Sequence, residues 1–92
     1  MQDECVYRMA RPESLRIVHL DSFTAVYHRS SGITHLITAP APEIMVALGE
    51  AGLSRRALLA RLAETYDLPD LDEAGLQSRL DELVACGLVS AA

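Results

Sequence analysis

Three histidines come nearest to a set of metal ligands in this sequence. His28 and His35 fall on two β-branched and aromatic runs joined by a short Ser/Gly segment, so the two rings could face each other across a hairpin; His19 lies on the preceding run. A structural zinc site takes four ligands, and no Cys, Asp or Glu stands at ligand spacing beside the pair. Cross-strand polar neighbours on a partly solvated sheet are the favoured interpretation. We expect neither a metal site nor a cofactor.

Nucleophilic catalysis has no better basis in the residue types. Ser30, Ser31 and Ser54 stand where turns and helix caps use serine, and the sequence has no GxSxG, phosphate-binding loop or GxGxxG motif. The carboxylates within residues 67–73 gather around a predicted helix start, where capping and the helix dipole account for them. A pocket that excludes water is also difficult to build in a chain of 92 residues. We therefore expect no catalytic residues and no enzymatic activity.

The composition indicates one small globular domain with an acidic balance. Half of the residues are hydrophobic, and with one Phe, three Tyr and no Trp the core must be aliphatic. The formal net charge is -5, and all eight basic residues are arginine. Because phosphate contacts supply most of the non-specific affinity for nucleic acids, this charge disfavours nucleic acid as a partner, and it disfavours anionic membranes in the same way.

The two cysteines could form a disulfide in an oxidising compartment, but nothing in the sequence marks the chain as secreted. Cys5 and Cys86 lie near opposite ends of the chain and form no CxxC or Cys/His cluster. The first residues are mixed and charged without an apolar segment, and no stretch is long enough to span a bilayer. We expect a cytoplasmic protein with free thiols.

The front half of the chain favours strands. Residues 1–13 show no clear period and are interpreted as an N-terminal arm, ahead of a single domain over residues 14–92. Runs at 15–20, 23–28 and 33–38 are rich in β-branched and aromatic residues, and the last two are joined through Gly32 in a hairpin.

The back half favours three helices. The first has Pro42 in its first turn and ends within residues 49–52. The second covers residues 55–66 after an N-cap at Ser54, and the third begins near Asp72 and ends at Gly87. Residues 67–70 are expected to interrupt the helical pattern and so separate the second helix from the third. The expected fold is α+β and winged-helix-like, with a three-stranded antiparallel sheet followed by three helices in the order βββααα.

A winged-helix shape raises the possibility of DNA binding. The third helix, which would enter the major groove, carries four acidic residues and a single arginine, so phosphates would repel it. The basic residues Arg55, Arg56 and Arg61 lie instead on the second helix. An extended peptide suits the chain better, because the third strand comes last in the sheet and its edge can accept an added strand. Leucines of the third helix would form the opposite wall of that groove or belong to the core.

Five segments of the sequence together resemble the PqqD-like family of peptide chaperones, also called RiPP recognition elements. They are AVYH (25–28), ITHLI (33–37), PEIMVALGEAG (42–52), LLARLAETY (58–66) and LDELVACGLV (80–89). FTAVYH (23–28) with GITHL (32–36) resembles the subgroup associated with an HPr-kinase-related system. The asparagine that often follows the third strand in this family is absent, and Thr-Ala-Pro stands there at 38–40.

The resemblance implies a non-catalytic chaperone that holds a precursor's leader peptide as an added strand and delivers it to a modifying enzyme. The implied peptide-binding residues lie on the third strand and the third helix. They are Thr34, His35, Leu36 and Ile37, with Leu76, Arg79, Leu80 and Leu83. Arg79 would either pair with an acidic leader residue or pair locally with Glu82.

The implied partners are the leader peptide and either a modifying enzyme or an HPr-kinase-related protein. A winged-helix DNA-binding regulator and a structural subunit of an HPr-kinase-related complex are the alternatives. An exposed strand edge also permits a homodimer.

Overall fold

The structure, a computed structural model, describes residues 5–66 and 71–92. Its fold class is α+β, with three helices and two three-stranded antiparallel sheets in this part of the chain. The helix break expected at residues 67–70, with its carboxylates, lies outside the described residues.

The predicted strand region forms a three-stranded meander. Strands β2 (Leu15–His19), β3 (Thr24–His28) and β4 (Ile33–Ile37) pair in that order. Gly32 takes a left-handed φ of 72° in the turn between β3 and β4, which confirms the hairpin and the need for glycine there. Val26, at the centre of β3, is fully buried, so alternate residues of the middle strand face the core.

The three helices begin close to the residues that the caps predict. They are α1 (Ala41–Leu48), α2 (Arg55–Thr65) and α3 (Glu73–Cys86). Ser54 caps α2: its Oγ accepts a hydrogen bond, at 3.2 Å, from the backbone N–H of the residue three positions later. Asp72 caps α3 in the same way at 2.7 Å. Both side chains satisfy an amide that the helix itself leaves unpaired.

A second sheet is a correction to the predicted order. Strands β1 (Val6–Met9), β5 (Leu53–Ser54) and β6 (Val89–Ala91) form it, with β1 in the middle. The expectation that residues 1–13 are an arm outside the domain is therefore wrong for Val6–Met9. The order βββααα likewise omits these three strands, which pair residues far apart in the sequence.

The core lies where the three helices meet both sheets. Its buried hydrophobic residues are Tyr7, Leu15, Val26, Ile44, Met45, Leu48, Leu58, Leu62, Leu76, Leu80, Leu83, Leu88 and Val89. The Gln77 amide nitrogen donates to the Tyr7 hydroxyl at 3.2 Å and links α3 to β1. None of the helices within residues 5–66 and 71–92 has the length and apolar character needed to cross a membrane.

Candidate functional site

Strand β4 forms one edge of the meander. It pairs antiparallel with β3, and no other strand in the described residues pairs with its outer flank. The ends of the described chain lie in the other sheet, because β1 and β6 pair with each other. The outer flank of β4 therefore keeps backbone N–H and C=O groups that can accept another strand.

Helix α3 lies near this edge and carries two adjacent stripes of side chains. Its leucine stripe is core, with Leu80 fully buried and Leu83 at 3% exposure. Arg79, Glu82 and Cys86 follow each other at i, i+3 and i+7, so they share the neighbouring face of the helix. Leu83 lies at the border between the two stripes.

A groove of about 430 Å³ is enclosed by β4, the turn after it, the start of α1 and the second stripe of α3. Its lining residues are His35, Leu36, Ile37, Thr38, Ala39, Ala41, Arg79, Glu82, Leu83 and Cys86. An open strand edge, small or aliphatic side chains and a pair of opposite charges therefore meet in one place. This combination suits an extended chain with an apolar side chain facing inward.

Five of the eight predicted site residues line this groove, namely His35, Leu36, Ile37, Arg79 and Leu83. Thr34 lies on β4 opposite Tyr27 and is exposed, but it is not part of the lining. Leu76 and Leu80 are fully buried. Their expected place in the groove wall is therefore wrong. The alternative that the helix leucines are core applies to both of them and to Leu83, which is core and also lines the groove.

Arg79 forms the local ion pair that its spacing allows. Its Nη1 lies 3.1 Å from Oε1 of Glu82, and the two side chains are 48% and 65% exposed. A pair this exposed contributes only a few tenths of a kcal/mol to helix stability. Both charged ends lie in the groove lining, so they can be reached by a bound chain.

The histidines do not combine into a metal site in the described residues. The register places His28 and His35 two residues out of step on neighbouring strands, and no cluster of three or more metal-ligating side chains occurs in residues 5–66 and 71–92. Nδ1 of His28 lies 2.9 Å from the Ser31 hydroxyl, and Nδ1 of His19 lies 3.3 Å from the Thr24 hydroxyl. Nε2 of His35 is buried without a hydrogen-bond partner in the described structure.

Five groove residues lie outside the predicted set: Thr38, Ala39, Ala41, Glu82 and Cys86. Glu82 and Cys86 could have been predicted from Arg79, because residues at i+3 and i+7 lie on the same face of a helix. The turn residues carry no such signal, since their place depends on how α1 packs beneath the sheet.

Comparisons with family models, curated proteins and solved structures find no match for this chain. The function is therefore inferred from the geometry of the groove and from the chemistry of the residues that line it.

Proposed function

We propose that the groove between β4 and α3 binds an extended peptide as an added strand, and that the protein is a non-catalytic peptide chaperone of PqqD-like type. The observation that carries the proposal is the outer flank of β4, which no strand in the described residues pairs with, beside a groove lined by α3. The added strand would gain affinity from main-chain hydrogen bonds to β4. Its selectivity would come from the alternate side chains that enter the groove.

Two edges of the meander compete for such a strand, and the side chains favour β4. Strand β2 also has no second strand partner in the described residues, but it carries Arg16, and a charge on an edge opposes the addition of another strand. Strand β4 has no Asp, Glu, Lys or Arg, and it exposes Ile33 and Leu36. An edge of this kind is either used for binding or prone to aggregation.

The groove lining indicates the chemistry of the bound peptide. Leu83, Cys86 and Ala41 offer an aliphatic surface that suits one inward-facing apolar side chain. Arg79 and Glu82 lie beside that surface and can each exchange their mutual contact for a charged group of the peptide.

The role that follows is presentation of a precursor's leader peptide to a modifying enzyme or to an HPr-kinase-related protein. We place this activity in the cytoplasm, in keeping with the two free thiols Cys5 and Cys86. Strand addition needs no chemistry from the protein itself, so the groove residues act by shape and hydrogen bonding.

The test uses peptides selected from a displayed library of random extended segments on the intact protein, with affinity measured by fluorescence anisotropy. Leu36→Lys is the test variant and Val18→Lys is its matched control. Val18, Ala25 and Leu36 lie in one row across the outer face of the meander, so the two variants place the same charge at opposite edges. We expect Leu36→Lys to weaken peptide binding at least about tenfold, which corresponds to about 1.4 kcal/mol. Val18→Lys should change it little.

The same peptides should shift backbone NMR signals along β4 and along residues 79–86. The proposal fails if no peptide is selected, if Val18→Lys weakens binding while Leu36→Lys does not, or if Leu36→Lys unfolds the protein. It also fails if only duplex DNA binds, with shifts confined to residues 55–61.

A further inference from the structure

A second cavity, of about 380 Å³, lies between the turn that joins β2 to β3, the start of α1 and the end of α2. The β2–β3 turn contributes Asp21 and Phe23, α1 contributes Glu43 and Val46, and Tyr66 closes the far side. This cavity is distinct from the groove described above, and no residue pattern in the sequence predicts it.

The charge in this cavity is one-sided. Asp21 and Glu43 line it, and none of its described lining residues is an arginine. Neither carboxylate forms an ion pair within the described residues. Oε1 of Glu43 is buried and accepts no hydrogen bond in the described structure. A buried carboxylate oxygen without a donor is costly, so the carboxyl group of Glu43, which lines the cavity, favours a ligand that brings a donor.

The walls of the cavity are apolar and partly aromatic. Leu20 and Val46 line it, although they are 46% and 68% exposed, so their side chains offer aliphatic surface that the fold leaves open. Phe23 and Tyr66 add two rings. A ligand that fits needs an apolar stem along these walls and a cationic, donor-rich end at Glu43.

We propose that this cavity binds the side chain of an arginine residue from a partner peptide. The arginine stem is apolar and its guanidinium carries five N–H donors on a planar group. That group pairs with carboxylates through charge-assisted hydrogen bonds and stacks on aromatic rings, which are the two kinds of surface that Glu43 and Tyr66 provide.

The cavity adjoins the groove, because Ile37, Thr38 and Ala39 line both. A peptide strand on β4 that continues past Ile37 thus brings its next residues to Glu43. This step rests on the proposed function, whereas recognition of an arginine side chain by the cavity does not.

The test is an NMR titration of the 92-residue protein with N-acetyl-L-arginine methylamide and, in parallel, with its citrulline counterpart, which has a similar shape but no charge. We expect saturable shifts at Ser22, Phe23 and residues 43–46, with citrulline binding at least about tenfold more weakly, as a charge-assisted hydrogen bond requires. Glu43→Gln should remove the preference for arginine. Glu50→Gln, an exposed change outside the cavity lining, should leave it intact.

Asp21→Asn provides a second variant on an exposed turn, in case Glu43→Gln disturbs α1, and it should reduce the preference in part. The inference is overturned if citrulline binds as well as arginine, or if the shifts do not saturate or map elsewhere. Peptides that bind the groove while the arginine probe does not would refute this inference and leave the proposed function standing. Binding of the arginine probe without any groove-binding peptide would refute the proposed function and leave this inference standing.

Discussion

Replacing Leu80 with alanine is expected to destabilise the fold by about 3–5 kcal/mol, while the same replacement at Leu36 should cost less than about 1 kcal/mol. The two leucines lie on the helix and the strand between which the groove forms, but their burial differs. Leu80 is 0% exposed, so its removal leaves a cavity among packed neighbours. Leu36 is 66% exposed, so only about a third of its surface is buried and can be lost on truncation.

The measurement is urea denaturation at about 25 °C followed by far-UV circular dichroism, with equal m-values required across the variants. A domain of 92 residues is expected to have a free energy of unfolding of about 5–14 kcal/mol. Leu80→Ala therefore removes a large share of the stability, and it unfolds the protein if the parent lies at the lower end of that range. Leu80→Met keeps the volume of the side chain and should cost less than about 1.5 kcal/mol. If Leu36→Ala costs as much as Leu80→Ala, Leu36 is a core residue and the groove is misplaced.

Three further changes test how the second sheet and the caps hold the fold. Gly52→Ala should destabilise by about 2 kcal/mol or more in thermal unfolding, because φ is +86° and a Cβ would lie 2.9 Å from the Tyr7 carbonyl oxygen. Gly32→Ala, where φ is +72° and a Cβ would make only an ordinary contact at 4.0 Å with the Tyr27 hydroxyl, should cost clearly less. Tyr7→Phe should cost about 1 kcal/mol through loss of the hydrogen bond from Gln77, and an unchanged midpoint in urea would contradict that bond. Ser54→Ala should cost about 1 kcal/mol and Ser54→Asp should restore it, as expected for a helix cap but not for a β5 contact.

Local signals in the sequence predict the helices and the meander well. Ser54 and Asp72 cap the helices where expected, and Gly87 ends α3 in the left-handed conformation with φ of 82°. Each signal depends on a few neighbouring residues, because a cap satisfies an amide only three positions away. Such chemistry is readable without knowledge of the tertiary structure.

The second sheet could not be predicted in this way. Strand β5 is two residues long and β6 is three, too short for an alternating pattern to stand out. Strand β1 has only four residues, and its pairing with Val89–Ala91 joins opposite ends of the chain. Contacts between residues so far apart leave no local sequence pattern, so the sequence predicts an arm where the structure has β1.

The groove could be predicted in part, for a geometrical reason. A helix that packs against a sheet buries one stripe, and the stripe beside it faces whatever lies next to the sheet edge. Leu76 and Leu80 have the helical spacing expected of core residues and equally of groove-wall residues. Their spacing alone therefore could not distinguish the core from the groove wall. Leu80 faces the core and the preceding residue, Arg79, faces the groove. Which of two adjacent helix positions faces the groove depends on the packing angle of the helix, which the sequence spacing does not give.

Strand β4 has no second strand partner in the described residues. Strands β1 and β6 pair with each other in the second sheet, so neither covers the edge of the meander. Proteins usually protect such an edge with charge, proline or a bulge, and β4 has no charged side chain and no proline between Ile33 and Ile37. Under the proposed function, the second stripe of α3 would supply a different kind of protection, because a strand could add to β4 only if its inward side chain fitted beside Leu83. The packing of α3 beside β4 would then both allow strand addition and restrict which strands can add.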